Sequence, residues 1–292
     1  MKKNVLVLIA VAAGFAVTAQ TFKPAVKLEA GKKYYVNTVT KANMTQEAMG
    51  QTMEIPIETS AYQLLEIKAA VADGYQSAST TQRLVFSANV MGQEMNYDSD
   101  KKEDRDGKMG ETMNNMVGKP TTFTVGMDGK VIEKTVVKPD VPKEAEGGEG
   151  DMMTGMMSNM GLAQAGASPA FNLFPDTKEM KIGDTFVESV SNDKDGKTKT
   201  TTTYKLAAIK DGIAEFEFSG NGSIEKKMES QGMEMNVVSA TKLSGLMLVD
   251  ITTGLLSKKT TTTETTGNIE VSGMQIPITG KATTTVEVAP AK

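Results

Sequence analysis

Methionine is the residue type that offers this chain an unusual chemistry. The chain has 292 residues, of which 21 are methionine, and it contains no histidine, cysteine or tryptophan. Five methionines recur at a spacing that would place them in one stripe along a helix. This methionine stripe, which we take as the candidate ligand-binding site, consists of Met152, Met153, Met156, Met157 and Met160.

The sequence is compatible with three roles for the methionine stripe. Thioether side chains are flexible and polarisable, so they suit ordinary packing of a connecting helix over a sheet edge. They also suit a lid or lining for a lipid-like ligand, or the capture of Cu(I) by sulfur alone. Gly155 interrupts the stripe and weakens the helix that would bring the sulfurs together on one ion. We therefore predict neither a metal site nor a cofactor.

The absent residue types exclude several enzyme classes. Without histidine and cysteine the chain has no Ser-His-Asp triad, no thiolate nucleophile, no disulfide and no zinc site of the usual kind. Carboxylates such as Glu215, Glu217 and Glu287 alternate along strands and show no pairing suited to acid–base catalysis. The acidic run from Asp98 to Asp106 lacks the register of a calcium loop and reads as a solvated hairpin tip. The sequence predicts a protein that is not an enzyme.

The charge balance argues against a nucleic-acid partner. The 32 basic and 36 acidic residues give a net charge of -4, so no basic excess is available for phosphate groups.

The first residues resemble an export signal. Lys2 and Lys3 precede an apolar run that ends near Val17, and Ala19 supplies the small residue that a signal peptidase reads. We predict a signal peptide over residues 1–19, a mature chain from Gln20, and a periplasmic or secreted location. Because no cysteine follows the apolar run, the protein is not expected to be a lipoprotein. No later segment is apolar over enough residues to predict a membrane span.

Alternation of apolar and polar residues dominates the rest of the chain. Ala214, Phe216 and Phe218 alternate with Glu215 and Glu217, as in a half-buried strand. Asp-Gly and other glycine turns separate such runs and favour sequential hairpins. We predict an all-β fold of long, curved antiparallel strands in two similar meander or half-barrel halves, over residues 20–138 and 176–292. Residues 139–175 would form a flexible connector rich in methionine and glycine.

Two short methionine-rich helices would interrupt the strands. One is the methionine stripe, and the other carries Met109, Met113 and Met116 at helical spacing. The two halves also echo each other, because Tyr62 and Tyr204 each precede an Asp-Gly turn, a strand and a glycine hairpin. Because any meander built from glycine hairpins contains similar repeated units, the sequence leaves open whether the two halves arose by duplication.

Three short sequence segments resemble those of a family of exported, uncharacterised proteins that is common in Bacteroidota and is known as a domain of unknown function. They are residues 172–176 (NLFPD), 181–186 (KIGDTF) and 248–256 (LVDITTGLL). Phe174 and Phe186 stand where the family has leucine and tryptophan. The resemblance implies a two-part β protein with long strands and no established functional residue. Its outline is also similar to periplasmic lipoprotein-carrier proteins, which hold acyl chains in a half-barrel.

Together these observations predict an exported, non-enzymatic protein that binds a hydrophobic or lipid-like ligand in a concave β face. The alternative is a structural or surface-interaction protein without a small ligand. Cu(I) binding by the methionine stripe is the third possibility.

Overall fold

The computed structural model describes residues 21–48, 51–90, 93–132, 135–137, 168–172, 174, 178–192, 196–230, 233–271 and 273–291. Most of these residues lie in β-strands, so the all-β prediction is confirmed. The predicted signal peptide and the methionine stripe lie outside the described residues.

Thirteen strands and three short helical segments make up the described fold. The strands are β1 (Thr21–Phe22), β2 (Lys33–Ala48), β3 (Gln51–Val71), β4 (Gly74–Val90), β5 (Gln93–Asp98), β6 (Pro120–Val125), β7 (Met180–Lys181), β8 (Thr185–Asn192), β9 (Lys197–Lys210), β10 (Ile213–Ser230), β11 (Met233–Asp250), β12 (Leu256–Val271) and β13 (Met274–Pro290). The helical segments are α1 (Lys102–Arg105), α2 (Lys108–Met113) and a 3-10 turn (Asn114–Met116).

One large antiparallel sheet contains the strands of both predicted halves. Its order is β5-β4-β3-β2-β13-β12-β11-β10-β9-β8, and β6 pairs with β4 beside this path. Hairpins join the strands within each half, whereas the antiparallel pairing of β2 with β13 joins the two halves in the middle. The short strands β1 and β7 pair separately. The sheet is open, with β5 and β8 at its two ends.

The two faces of the sheet differ in polarity, as the alternation predicts. The outer face carries threonine, lysine and glutamate, including the directly opposed pairs Lys258–Glu287 (2.7 Å) and Lys281–Glu264 (3.1 Å). Such exposed pairs add little stability, but they favour one register over its neighbours. The inner face carries the buried side chains, among them Val36, Leu65 and Phe216.

Segments outside the large sheet cover one end of the inner face. Phe22 of β1 packs edge-on against Phe174 and Phe216, with ring centroids 5.8 and 5.6 Å apart. The chain from residue 21 to residue 32, which we call the N-terminal strap, is tied down by backbone bonds. Lys27 N donates to Thr253 O (2.8 Å), and Val26 N donates to Met127 O (2.7 Å). The core therefore lies between this end of the sheet and the segments that cross it.

The helical insertion covers a second part of the inner face, near β3, β4 and β5. Met113 is fully buried there against Phe86 and Tyr97, with Met109 and Met116 half-buried around it. The predicted helix at these methionines is confirmed, and its role is packing. The acidic run after Asp98 forms the junction of β5 with α1, where Asp98 N donates to Asp104 Oδ2 (2.9 Å), and not the hairpin tip that the sequence suggested.

Candidate functional site

An apolar part of the inner face has no described segment packed over it. It consists of two rows of three residues, each row in register across β11, β12 and β13. We call these six residues the open patch: Met235, Val271 and Met274 in one row, and Val237, Ile269 and Ile276 in the other. Within the described chain they belong to none of the three core clusters.

The open patch is accessible to solvent although its side chains are large and apolar. Met274 is 58% exposed, and the other five are half-buried by their neighbours in the sheet. The outer face of the same strands carries polar residues here, including Asn268, Glu270 and Gln275. Val238, 48% exposed, and Pro277 lie among these polar residues, so apolar residues predominate on the inner face without being confined to it. That inner face is uncovered here in the described structure. Contiguous apolar surface of this kind marks contact with a ligand or a partner.

Threonine side chains form a row across the inner face, between the open patch and the covered end of the sheet. Thr59, Thr40, Thr284 and Thr261 are register neighbours on β3, β2, β13 and β12. The hydroxyls of Thr40 and Thr284 are 2.9 Å apart and share a hydrogen bond. Thr59 is fully buried, and its hydroxyl has no hydrogen-bond partner in the described structure. A row of hydroxyl groups thus crosses the inner face.

Lys259 lies beside this threonine row. It precedes Thr261 by two positions on β12, so the two side chains share the inner face. Lys259 Nζ donates to Asn172 Oδ1 (3.3 Å) and to Tyr204 Oη (3.4 Å). The ammonium group is also 5.4 Å from the ring centroid of Tyr204 and 5.0 Å from that of Phe218, within the range of cation–π attraction.

A glycine makes the contact between Phe218 and Lys259 possible. Gly245 of β11 lies in register between Phe218 of β10 and Thr261 of β12. A Cβ atom at position 245 would lie only 2.7 Å from Cζ of Phe218. The absent side chain therefore lets the phenyl ring lie over β11 towards the ammonium group.

The environment of Lys259 works against its charge. Burial lowers the pKa of Lys259 below its ordinary value of 10.5, and the negative charge of Glu188 opposes this shift. Burial, followed by the charge and hydrogen bond of Glu188, raises the pKa of Tyr204, so its phenol stays protonated and donates to Glu188 Oε2 (3.1 Å). Within the described residues no carboxylate lies at ion-pair distance from Lys259. The site therefore holds a half-buried, partly desolvated cation whose hydrogen bonds go to neutral groups.

We expect Lys259→Met to leave the unliganded protein at least as stable as the wild type, by up to about 1 kcal/mol at neutral pH, because the variant removes a desolvated charge. The wild type should gain stability as pH rises from the folded-state pKa of Lys259 towards 10.5, since only the unfolded chain then carries the proton. The advantage of the variant should consequently shrink as pH rises from the folded-state pKa of Lys259 towards 10.5. Urea unfolding of both proteins at several pH values measures this difference. An advantage that grows with pH would contradict the assignment.

Two shallow depressions lie elsewhere on the sheet. Each measures about 490 Å³, and both are lined mainly by polar side chains, such as Lys41, Glu58 and Asn96 in one and Thr203, Lys242 and Glu264 in the other. Neither provides the apolar surroundings expected for a lipid-like ligand.

The predicted methionine site is not placed by the structure. Met152, Met153, Met156, Met157 and Met160 all lie outside the described residues, so their packing, lining and Cu(I) roles stay predictions. Across the described ranges, no group of three or more acidic residues is arranged to hold a metal ion. No helix in that part of the chain is long and apolar enough to cross a membrane.

The sequence reasoning did not single out Lys259, although a signal was present. Every second residue of β12 from Ile269 back to Lys259 lies on the same face of the strand. The alternation therefore places a cation on the face that carries the apolar residues. Its partners Asn172, Glu188 and Tyr204 come from distant parts of the chain, and no local pattern connects them.

A family model matches residues 73–256, which cover β4 to the start of β12. The chain belongs to DUF6263, a family of unknown function. The matched range contains Glu188 and Tyr204 and ends just before Lys259. No curated protein matches the sequence.

Similarities to solved structures are distant. A lipovitellin structure concerned with lipid–protein interactions is 13% identical with a TM-score of 0.48, and it covers 91% of this chain. This chain spans only 26% of the length of that lipovitellin chain. An outer membrane channel from Pseudomonas putida F1 is 8% identical with a TM-score of 0.25, over 90% of this chain and 97% of the channel. Similarities at this level carry no function to this chain.

Proposed function

We propose that this protein is exported, is not an enzyme, and binds a lipid-like ligand on the inner face of its sheet. The observation that carries the proposal is the open patch. Six apolar side chains in two registered rows stay accessible on the face whose other parts form the core. Covering that surface with an acyl chain would remove apolar area from water, at a gain of about 25 cal/mol for each Å².

Export and family origin complete the proposal. The lysine-led apolar run before Gln20 supports secretion, with cleavage after Ala19. A Bacteroidota source is part of the same proposal, because the three quoted segments resemble proteins of that group. A non-catalytic role is supported by the absence of histidine and cysteine, and by a Tyr204 phenol that stays protonated beside Glu188.

Replacing Ile269 with lysine should weaken the binding of a fluorescent long-chain lipid probe by about tenfold or more, because it puts a charge in the middle of the open patch. Asn268→Lys is the matched control, since it adds the same charge to the next residue on the outer face and should leave binding unchanged. Fluorescence titration of the purified full chain, together with lipid extraction from the unmodified protein, measures the effect. A wild type that carries no amphiphile and binds no probe would favour the structural or surface-interaction alternative. Equal losses in the two variants would show that the inner face is not the binding surface.

A further inference from the structure

We propose that the ligand is an anionic, long-chain amphiphile whose carboxylate or phosphate group is held at Lys259. This inference rests on the proposed function and names the chemical class of the ligand.

The first support is the unbalanced charge of Lys259. Its ammonium group lies between the rings of Tyr204 and Phe218, and its hydrogen bonds go to a neutral amide and a neutral phenol. Glu188 is already engaged by the phenol of Tyr204. A half-buried cation in this setting lacks the partner that normally compensates it, and an anionic headgroup supplies one.

The second support is independent of Lys259 and comes from hydroxyl groups on the same face. Thr38 pairs with Val286, and Val286 pairs with Lys259, so Thr38 lies two strands away, or about 10 Å. The hydroxyls of Thr38 and Thr59 are buried without a hydrogen-bond partner in the described structure. Buried hydroxyls of this kind are rare in native proteins, and Thr38, the nearer of the two to Lys259, can donate to water bound to an anion there.

The third support is the character of the surface between Lys259 and the open patch. Along β12 the inner face carries Thr261, Thr263, Thr265 and Gly267 before it reaches Ile269. The flanking strand β13 contributes Gly280 and Ala282, among other small side chains on this face. Lys259 and Ile269 are ten positions apart, which is about 33 Å along a strand. The track of small side chains leaves room for a chain, and its length exceeds that of an ordinary extended fatty acyl chain, so only a very long acyl chain can reach the open patch from Lys259.

The test compares a charged probe with its neutral counterpart on the full-length protein. The probes are a fluorescent very-long-chain fatty acid, long enough to reach from Lys259 to the open patch, and the matching fatty alcohol. The variant is Lys259→Met, which keeps the length of the side chain and removes the charge. The control is Lys258→Met, which removes the neighbouring lysine that pairs with Glu287 on the outer face. Far-ultraviolet circular dichroism verifies that both variants are folded.

We expect wild type to bind the acid at least tenfold more tightly than the alcohol. Lys259→Met should abolish this preference by weakening acid binding alone, whereas Lys258→Met should keep it. Displacement of the acid by a monoacyl phosphate at a lower concentration than by unlabelled fatty acid identifies phosphate as the preferred headgroup, and the reverse order identifies carboxylate.

Equal binding of acid and alcohol by the wild type, or a preference that survives in Lys259→Met, would overturn the anion assignment and leave the proposed function standing. Failure of the wild type to bind either probe would overturn the proposed function, and this inference with it.

Discussion

Replacing Phe216 with alanine should lower the free energy of unfolding by about 3–5 kcal/mol. Phe216 is fully buried on β10, and its ring contacts Phe22 and Phe186 edge-on at centroid distances of 5.6 and 5.9 Å. The truncation would leave a cavity between the sheet and β1, and it would remove two aromatic contacts in addition to the buried area. Equilibrium unfolding in guanidinium chloride measures the loss.

Val187→Ala is the control for Phe216→Ala. Val187 lies on the edge strand β8 and is 52% exposed, so its truncation should change stability by less than about 0.5 kcal/mol. A loss below about 1 kcal/mol for Phe216→Ala would mean that the cluster around β1 does not form the core.

Replacing Gly254 with alanine should cost about 2–5 kcal/mol, because strain and collision act together at this position. The backbone of Gly254 has a φ of +72°, and a Cβ atom there would lie 2.2 Å from the carbonyl oxygen of Ala25. Ala25 belongs to the N-terminal strap, which is held to the same loop by the bond from Lys27 N to Thr253 O (2.8 Å). The variant should therefore release the strap, and faster proteolytic cleavage near residue 25 should accompany the lower midpoint of unfolding.

Gly212→Ala separates the two effects at Gly254. Gly212 has a similar φ of +79°, but nothing lies within 4 Å of the position that its Cβ atom would take. This variant should show only the backbone cost of about 1–2 kcal/mol. Equal losses in the two variants would show that the strap does not press on Gly254.

Local patterns in the sequence were enough to predict the strands and their faces. Ala214, Phe216 and Phe218 are all buried, as their alternation with glutamates indicates. The helical spacing of Met109, Met113 and Met116 likewise predicted the helical insertion, because the residues that a helix packs against a core recur every three or four positions in the sequence. These successes concern contacts between residues close together in the chain.

Contacts between distant residues could not be read from local patterns. The pairing of β2 with β13 follows from no turn, since residues as far apart as Thr40 and Thr284 meet there. The Lys259 site joins β8, β9, β10 and β12 with Asn172, and only the fold brings these elements together. Tyr62 and Tyr204 occupy equivalent positions in the internal repeat that the sequence suggests, but their environments are opposite. Tyr62 is exposed on the outer face, and Tyr204 is buried on the inner face.

The central pairing of β2 with β13 has a consequence for how the chain folds. Thr40 and Thr284 are 244 positions apart, and closing a loop of that length costs about 3 kcal/mol more in chain entropy than closing one of about ten residues. The hairpins within each meander need no such closure, and once they form they shorten the loop that remains. We therefore expect two meanders to fold first and to join late, along β2 and β13. Until they join, each meander carries a long unpaired edge that can pair with another chain, so this step is where aggregation competes with folding.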